Sequence, residues 1–280
     1  MNIVGLGNAG CRLAKKFEKY DQYSVFFVDT PGAEWGTTTT YISEQKTHEE
    51  YEKNTKNLKI KKINTDPTVV ILSGAGKISG ASLRLLEALK AKKVAIMYIK
   101  PNNQDMSKQA KLRHKITFGI LQEYARSGVV EHLHIVDNKK VEEVLGSVSI
   151  ENYWNEMNDV IFSTFHMINV FQNTEPLLTT SLKPHQAAKI STMGVVNFES
   201  LKEKTFFDMT AIRNKKYFFG INKSTLEQNK ELLHRIRNFS SKGASDDCDV
   251  GFSIYSTDYP VNYVYSIHYT SFVQEQQIKI

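Results

Sequence analysis

Cysteine is scarce in this 280-residue sequence, which has only Cys11 and Cys248, and these two form no C-x-x-C pair. The eight histidines show no metal-ligand spacing beyond His132 and His134, which flank one leucine. Structural and catalytic zinc sites are built from such closely spaced ligands. We therefore expect no metal site.

Long apolar runs and concentrated basic blocks are also missing. No run approaches the roughly 18 apolar residues that cross a bilayer, and the N-terminus lacks the order of segments found in a signal peptide. We expect a cytoplasmic protein without a membrane span. The formal charge is +6, but the lysines are spread along the chain and no RNA- or DNA-binding motif occurs. Direct nucleic-acid binding is therefore not expected.

Strand and helix signals alternate through the first half of the chain. Short apolar runs typical of buried strands are separated by stretches with helical periodicity. Strands are predicted at 1–6, 23–29, 68–74, 93–100 and 132–137, and helices at 8–20, 47–58, 79–91 and 104–126. This order predicts an α/β fold with a parallel sheet, in which ligands bind at the carboxyl ends of the strands.

The second half begins with one long predicted helix. Apolar residues recur at three- or four-residue spacing from Ile150 to Ile168, through Trp154, Met157, Ile161 and Phe165. A polar segment with two prolines follows, and then strands at 216–222, 249–256 and 262–270 with a helix at 224–238. We predict a nucleotide-binding domain at 1–148, a central helix at 149–173 and a smaller α+β domain at 174–280.

The stretch "MNIVGLGNAGCRLAKKF" holds the first glycine loop. Gly5, Gly7 and Gly10 form G-x-G-x-x-G between a predicted strand and a predicted helix. Backbone N–H groups at such a helix start can hold a phosphate. Asp29 ends the next strand about 20 residues on, where a Rossmann fold keeps its ribose-binding carboxylate. An NAD-dependent oxidoreductase is therefore one open interpretation.

The stretch "TVVILSGAGKISGASLRLLEAL" holds a second glycine loop, for which a Rossmann fold has no special use. A Walker A motif is excluded, because Ile71 and Ile78 occupy its first Gly and its Ser/Thr positions. What remains is a loop of small residues that lets a phosphate approach the backbone closely. These residues are Gly74, Gly76, Ser79 and Gly80.

The two loops together resemble the tubulin and FtsZ superfamily. The run Gly74-Ala75-Gly76-Lys77-Ile78-Ser79-Gly80 resembles its G-G-G-T-G-[ST]-G signature, and "GNAGCRLAKKF" resembles its first phosphate loop. The resemblance covers roughly residues 1–175 well. It implies that residues 74–80 and residues of the first glycine loop bind the phosphates. The first-loop residues are Gly7, Asn8, Gly10, Cys11 and Arg12.

The resemblance also implies contacts to the nucleoside. In "YIKPNNQD", Asp105 falls near the acidic residue that takes the ribose in the family. Asp29 stays a nucleotide-binding candidate on its Rossmann-like spacing alone. "SIENYWNEMNDVI" parallels the start of the FtsZ central helix, where an aromatic stacks on guanine and an Asn or Asp four residues later hydrogen-bonds its edge. Trp154 and Asn158 match these positions, and residues four apart share one helical face.

The catalytic loop is where the sequence departs from the family. The family has two acids in N-x-D-[FY]-x-D, and its best counterpart here is "GVVNFESLK". Asn197 and Ser200 stand at the acid positions, which leaves Glu199 as the one carboxylate and the only candidate catalytic residue. An amide cannot act as a base, so we expect weak or absent GTP hydrolysis.

The resemblance implies a filament-forming protein that binds GTP or GDP, with Mg²⁺ as a candidate companion ion. Its partner would be a second copy, added head to tail, or a host FtsZ-like protein. Short relatives of this kind occur on phages and plasmids. Two other functions stay open: a non-hydrolysing module that modulates a host division protein, and the oxidoreductase.

Structural explanations also stay open for each motif. The glycine loops could be tight turns without a ligand, and Trp154 could be a core side chain. Asp29 could cap a strand end, and Glu199 could be a surface acid.

Overall fold

The computed structural model describes residues 1–60, 63–90, 93–180, 182 and 185–274. The chain divides into two compact units, Met1–Phe162 together with the chain end from Val273, and Ser163–Phe272. This boundary falls inside the long helix that the sequence predicts as a separate segment. The functional domain limits therefore stay a prediction.

The first unit contains a parallel sheet. Its strands are β1 (Asn2–Leu6), β2 (Ser24–Asp29), β3 (Thr39–Tyr41), β4 (Thr68–Leu72), β5 (Val94–Lys100) and β6 (His132–Asp137). They lie in the order β3-β2-β1-β4-β5-β6, and each neighbouring pair is parallel. The predicted α/β class with a parallel sheet is confirmed.

Helices connect these strands. They are α1 (Gly7–Lys15), α2 (His48–Asn54), α3 (Ser82–Ala88), α4 (Lys108–Arg126), α5 (Asn138–Leu145) and α6 (Tyr153–Gln172). Several helices are shorter than predicted, and two of them, α1 and α3, are flanked by 3₁₀ turns, at Lys16–Lys19 and Lys77–Ala81. Helix α5 and the short strand β3 are additional to the elements predicted from the sequence.

The sheet register places the two glycine loops next to each other. Gly5 of β1 pairs with Ile71 of β4 in the parallel ladder. The segments after Leu6 and after Leu72 therefore leave the same edge of the sheet, from adjacent strands. This edge is the carboxyl end, where open parallel sheets bind their ligands.

The long helix α6 begins later than predicted. Residues 149–152 form no helix, and Ile150 is 96% exposed instead of lying on an apolar face. From Met157 to Ile168 the predicted apolar positions are buried, which confirms the periodicity. Trp154 is the exception, since 54% of its surface is exposed. It is therefore not a core side chain.

The second unit contains a mixed sheet. Its strands are β7 (Leu178–Thr179), β8 (Ile190–Val196), β9 (Glu203–Thr205), β10 (Asn214–Asn222), β11 (Asp249–Thr257) and β12 (Tyr263–Thr270). The order is β8-β12-β10-β11-β7, with β9 paired to β8. The helix predicted at 224–238 is two helices, α7 (Lys223–Gln228) and α8 (Leu232–Gly243). Buried side chains such as Phe219, Ile236 and Phe252 form one core. No helix in the described ranges is long and apolar enough to cross a membrane.

Candidate nucleotide-binding site

The first glycine loop is closely packed against the second. Gly7 begins α1 with a φ of +66°, a conformation that side chains other than glycine rarely adopt. A Cβ atom at Gly7 would lie 2.6 Å from Cγ2 of Ile78, and one at Gly10 would lie 2.2 Å from the carbonyl oxygen of Ile71. Glycine is therefore required at both positions, and the two loops are in direct contact.

The start of α1 suits an anion. Leu6 stands at the N-cap and has no polar side chain to accept from the first-turn N–H groups, and this turn contains no acidic residue. Uncapped N–H groups and the helix dipole together attract negative charge. Arg12 adds a cation one turn on, and its Nε donates to Oδ1 of Asn8 at 2.9 Å. Both of these side chains are exposed.

Cys11 lies behind this loop, in the core. Its Sγ donates to the carbonyl oxygen of Gly5 at 3.3 Å. Burial raises the pKa of the Cys11 thiol strongly, and the nearby carboxylate of Asp29 raises it further. The thiol therefore stays neutral near pH 7 and serves as a small packing group beside the loop.

The second glycine loop is held by its own hydrogen bonds. The hydroxyl of Ser79 donates to the carbonyl oxygens of Gly74 and Gly76, at 3.0 and 2.7 Å. Arg113 of α4 donates through Nε to the carbonyl oxygen of Ala75 at 2.9 Å. A Cβ atom at Gly74 would lie 2.1 Å from the hydroxyl oxygen of Tyr98. The loop is thus fixed from both sides.

The exposed part of the second loop lies between these fixed points. Gly76 and Lys77 are exposed, Ile78 is half-buried against Gly7, and Gly80 is buried. A lysine at the tip of a loop of small residues can approach a phosphate together with the backbone.

Trp154 and Asn158 line one cavity of about 520 Å³. This volume is in the range of small-molecule sites. The other lining residues come from α1, the 3₁₀ turn after it, the β2–β3 loop and α6: Arg12, Lys15, Lys16, Glu18, Lys19, Trp35 and Asn155. We call this space the base cavity. Four of its side chains are cationic and one is acidic, so its lining carries a net positive charge.

An ion pair holds the two walls of the base cavity together. Lys16 Nζ lies 2.8 Å from Oδ1 of Asp159 on α6, and it also donates to the side chain of Asn155. Arg12 belongs both to the predicted first phosphate loop and to the lining of the base cavity, so the cavity adjoins this loop.

Asp105 lies at the same edge of the sheet. It ends the short 3₁₀ turn Asn103–Asp105 after β5, and its side chain is exposed. Burial raises the pKa of Tyr153 to about 12, and the neighbouring Glu142 and the charge of Asp105 add to this shift. Asp105 is therefore close enough to the start of α6 to act on it electrostatically. Its contact with a ribose stays a prediction.

Asp29 has its partners within the β2–β3 loop. It is only 6% exposed. Its Oδ1 accepts from the backbone N–H of Thr30 at 2.9 Å, and its Oδ2 accepts from Nε1 of Trp35 at 2.8 Å. This geometry fits the strand-end alternative, and a ribose contact stays a prediction.

Glu199 lies in the second unit, in the turn between the antiparallel strands β8 and β9. Oδ1 of Asn197 accepts from the backbone N–H and the hydroxyl of Ser200, at 2.8 and 2.9 Å, and so closes the turn. Arg235 donates to the carbonyl oxygen of Glu199 at 2.7 Å. The Glu199 side chain is exposed, and its catalytic role stays a prediction. Within the described ranges, no three His, Cys, Asp or Glu side chains cluster as metal ligands.

Sequence reasoning did not assign site roles to Trp35, Lys15, Lys16 or Arg113. Trp35 is one of two tryptophans in the chain and stands in the polar stretch "PGAEWGTTTT". A large aromatic in such a loop is a signal that could have been used.

Comparison with known proteins gives a clear result at the level of the fold. No protein-family model matches the chain, and no curated protein sequence is significantly similar to it. Among solved structures, TubZ of Bacillus thuringiensis serovar israelensis in a GTPγS-form protofilament matches with a TM-score of 0.72 at 14% identity, over 96% of this chain and 86% of that one.

Two further solved structures are similar to the chain in fold. An empty FtsZ dimer of M. jannaschii matches with a TM-score of 0.68 at 9% identity, over 100% of this chain and 93% of that one. The GDP-bound CetZ1 monomer of Haloferax volcanii matches with a TM-score of 0.67 at 14% identity, over 97% and 94%. The chain therefore has the fold of the tubulin and FtsZ superfamily.

Proposed function

We propose that this protein binds a guanine nucleotide at the carboxyl ends of its parallel strands and assembles into filaments, with weak or absent GTP hydrolysis. The observation that carries the proposal is the base cavity. Trp154 offers a flat apolar face, and Asn158 offers an amide that both donates and accepts hydrogen bonds. Both line the same cavity as Arg12, which comes after Gly10 and Cys11 in the chain, at the end of the first glycine loop.

The phosphates would lie on the two glycine loops. The uncapped start of α1 and the exposed Lys77 supply N–H donors and positive charge there. Mg²⁺ in nucleotide sites commonly takes its ligands from phosphates, waters and one or two carboxylates. The described residues contain no ready metal cluster, so a Mg²⁺ ion here would depend on the nucleotide for most of its ligands.

The filament part of the proposal rests on the fold. TubZ, which matches over most of the chain, is described in a protofilament. A head-to-tail contact that does not close generates an open polymer. The low hydrolysis part rests on the β8–β9 turn, where Asn197 and Ser200 bond to each other and only Glu199 carries a carboxylate.

The test is a titration of the purified protein with labelled GTP, in competition with ATP and with NADH, while sedimentation of the protein is followed in the same samples. We expect GTP binding that ATP and NADH do not displace, and pelleting that depends on GTP. Phosphate release measured in the pellet fraction then gives the hydrolysis rate.

Each other outcome points to a different function. GTP binding without pelleting or turnover would indicate a non-hydrolysing module that modulates a host division protein. NADH binding without GTP binding would indicate the oxidoreductase, which the tubulin and FtsZ fold does not favour. Absence of GTP binding would refute the proposal.

A further inference from the structure

We infer that Trp35 forms a second aromatic wall of the base cavity, and that Asp29 acts as a positioning residue that holds this wall in place. The inference rests on the proposed function, because it concerns the same cavity. It assigns to Trp35 a contact with the base, and it gives Asp29 a role other than a contact with the ribose.

The first observation is where the tryptophans lie. The chain has two, and both line the base cavity. Trp154 is on α6, whereas Trp35 comes from the loop between β2 and β3. Two different elements therefore each bring one indole to a single space, which is the arrangement that a planar ring between two walls requires.

The second observation is how firmly Trp35 is held. Its Nε1 donates to Oδ2 of Asp29 at 2.8 Å, and its carbonyl oxygen accepts from Nζ of Lys15 at 2.9 Å. Its ring is stacked on Phe27 of β2, with centroids 6.1 Å apart and an interplanar angle of 22°. Since one face is directed to the fully buried Phe27, the rest of the half-buried indole is available to the cavity.

The third observation is the chemistry of Asp29. A nearly buried carboxylate is costly unless its oxygens accept hydrogen bonds. Asp29 meets this condition through Thr30 and Trp35. A charged acceptor holds an indole more firmly than a neutral one would, so the orientation of Trp35 is fixed before a ligand enters. Because the Trp35 side chain is already ordered, less conformational entropy is lost when a ligand binds against it.

The inference therefore assigns the base and the phosphates of the nucleotide to different parts of the site. The two tryptophans contact the base, so they affect nucleotides but not a ligand made of phosphates alone. Inorganic tripolyphosphate carries the phosphates without the base and is therefore the probe that separates the two parts.

The experiment uses single-tryptophan proteins and the full chain. In Trp154→Phe, the remaining emission comes from Trp35, and we expect GTP to shift or quench it while tripolyphosphate does not. Trp35→Ala should weaken GTP binding by about tenfold, as expected for loss of one base-stacking aromatic, and leave tripolyphosphate binding within about twofold. Tyr259→Ala, which removes an exposed aromatic that does not line the cavity, is the matched control.

The role of Asp29 is tested in the Trp154→Phe background. Asp29→Ala should shift the emission of Trp35 to longer wavelength before any ligand is added, because the indole loses its acceptor and becomes more exposed. Asp29→Asn, which keeps one acceptor oxygen, should restore most of the original spectrum. A residue that only stabilised β2 would not alter the Trp35 spectrum in a folded variant, and an unaltered spectrum would overturn this role.

The outcomes separate this inference from the proposed function. If the wild-type protein binds no GTP, the proposed function is refuted and the inference with it. If the wild type binds GTP but Trp35→Ala binds it equally well and Trp35 emission does not respond, the inference alone is refuted. Should Trp35→Ala fail to fold by circular dichroism, the emission of Trp35 in Trp154→Phe still decides the question.

Discussion

Truncation of Trp154 to alanine should weaken GTP binding by about 1–3 kcal/mol, the usual contribution of an aromatic on which a base stacks. This is roughly a 5- to 150-fold rise in Kd. The side chain is 54% exposed, and its ring contact in the protein is an edge-to-face one with Tyr153 at 5.0 Å. Its removal leaves no internal cavity, so the unfolding free energy should change by less than about 1 kcal/mol.

The control lies three positions on in the same helix. Met157 is 1% exposed and does not line the base cavity. Met157→Ala should cost about 2–5 kcal/mol of stability, the range for truncation of a buried side chain, and leave the affinity for GTP nearly unchanged. We therefore expect Trp154→Ala to lower the affinity for GTP with little effect on stability, and Met157→Ala to lower stability with little effect on the affinity for GTP.

The assay is isothermal titration with GTP, paired with chemical unfolding of the same preparations. Trp154→Phe should retain most of the affinity, because it keeps an aromatic face. Unchanged GTP affinity in a folded Trp154→Ala protein would remove Trp154 from the site and contradict the reasoning. A similar loss in Met157→Ala would show that the assay reports folding instead of contact.

Three further predictions concern other parts of the molecule. Asn158→Ala should raise the Kd for GTP about 2- to 12-fold through loss of one hydrogen bond, while tripolyphosphate binds as before in the same titration; equal weakening for both ligands would contradict a base contact. Gly7→Ala should lower the unfolding free energy by at least about 1 kcal/mol, because its φ of +66° is strained for alanine, and an unchanged Tm would contradict this. Burial acts to raise the pKa of Glu203, but hydrogen bonds from His268 and Tyr217 outweigh it and hold that pKa below its ordinary value of 4.5. The stability that this gives is present above pH 4.5 and is lost as the pH falls through the lowered pKa, so Glu203→Gln should flatten the acid side of the stability curve; identical slopes would refute it.

The strands and glycine loops of the first unit could be predicted because their signals are local. The runs that became β1, β4 and β5 are short, apolar and bounded by small or polar residues, and their boundaries agree to within one or two residues. The contact between Gly7 and Ile78 could not be predicted, because it depends on which strand lies beside β1. Sequence order alone does not give that neighbour.

Only the part of the base-cavity lining that depends on local sequence spacing could be predicted. Trp154 and Asn158 are four residues apart, so helical geometry alone puts them on one face. Trp35, Lys15 and Lys16 reach the cavity through tertiary packing. Helix α6 also begins at Tyr153, one residue before Trp154, and periodicity does not define this boundary.

Asp29 shows why a spacing can locate a residue in the fold without identifying what its side chain binds. The distance of about 20 residues from a glycine loop to an acid at the end of the next strand measures one strand, one helix and the return to the sheet. Any fold that begins with such a unit will bring that residue to the carboxyl edge, whatever the ligand. What the carboxylate does there depends on its neighbours, and here they are the Thr30 amide and the Trp35 indole. The spacing that suggested a dinucleotide therefore predicts only a place in the fold, whereas the proposal of a guanine nucleotide depends on the second glycine loop and the central helix.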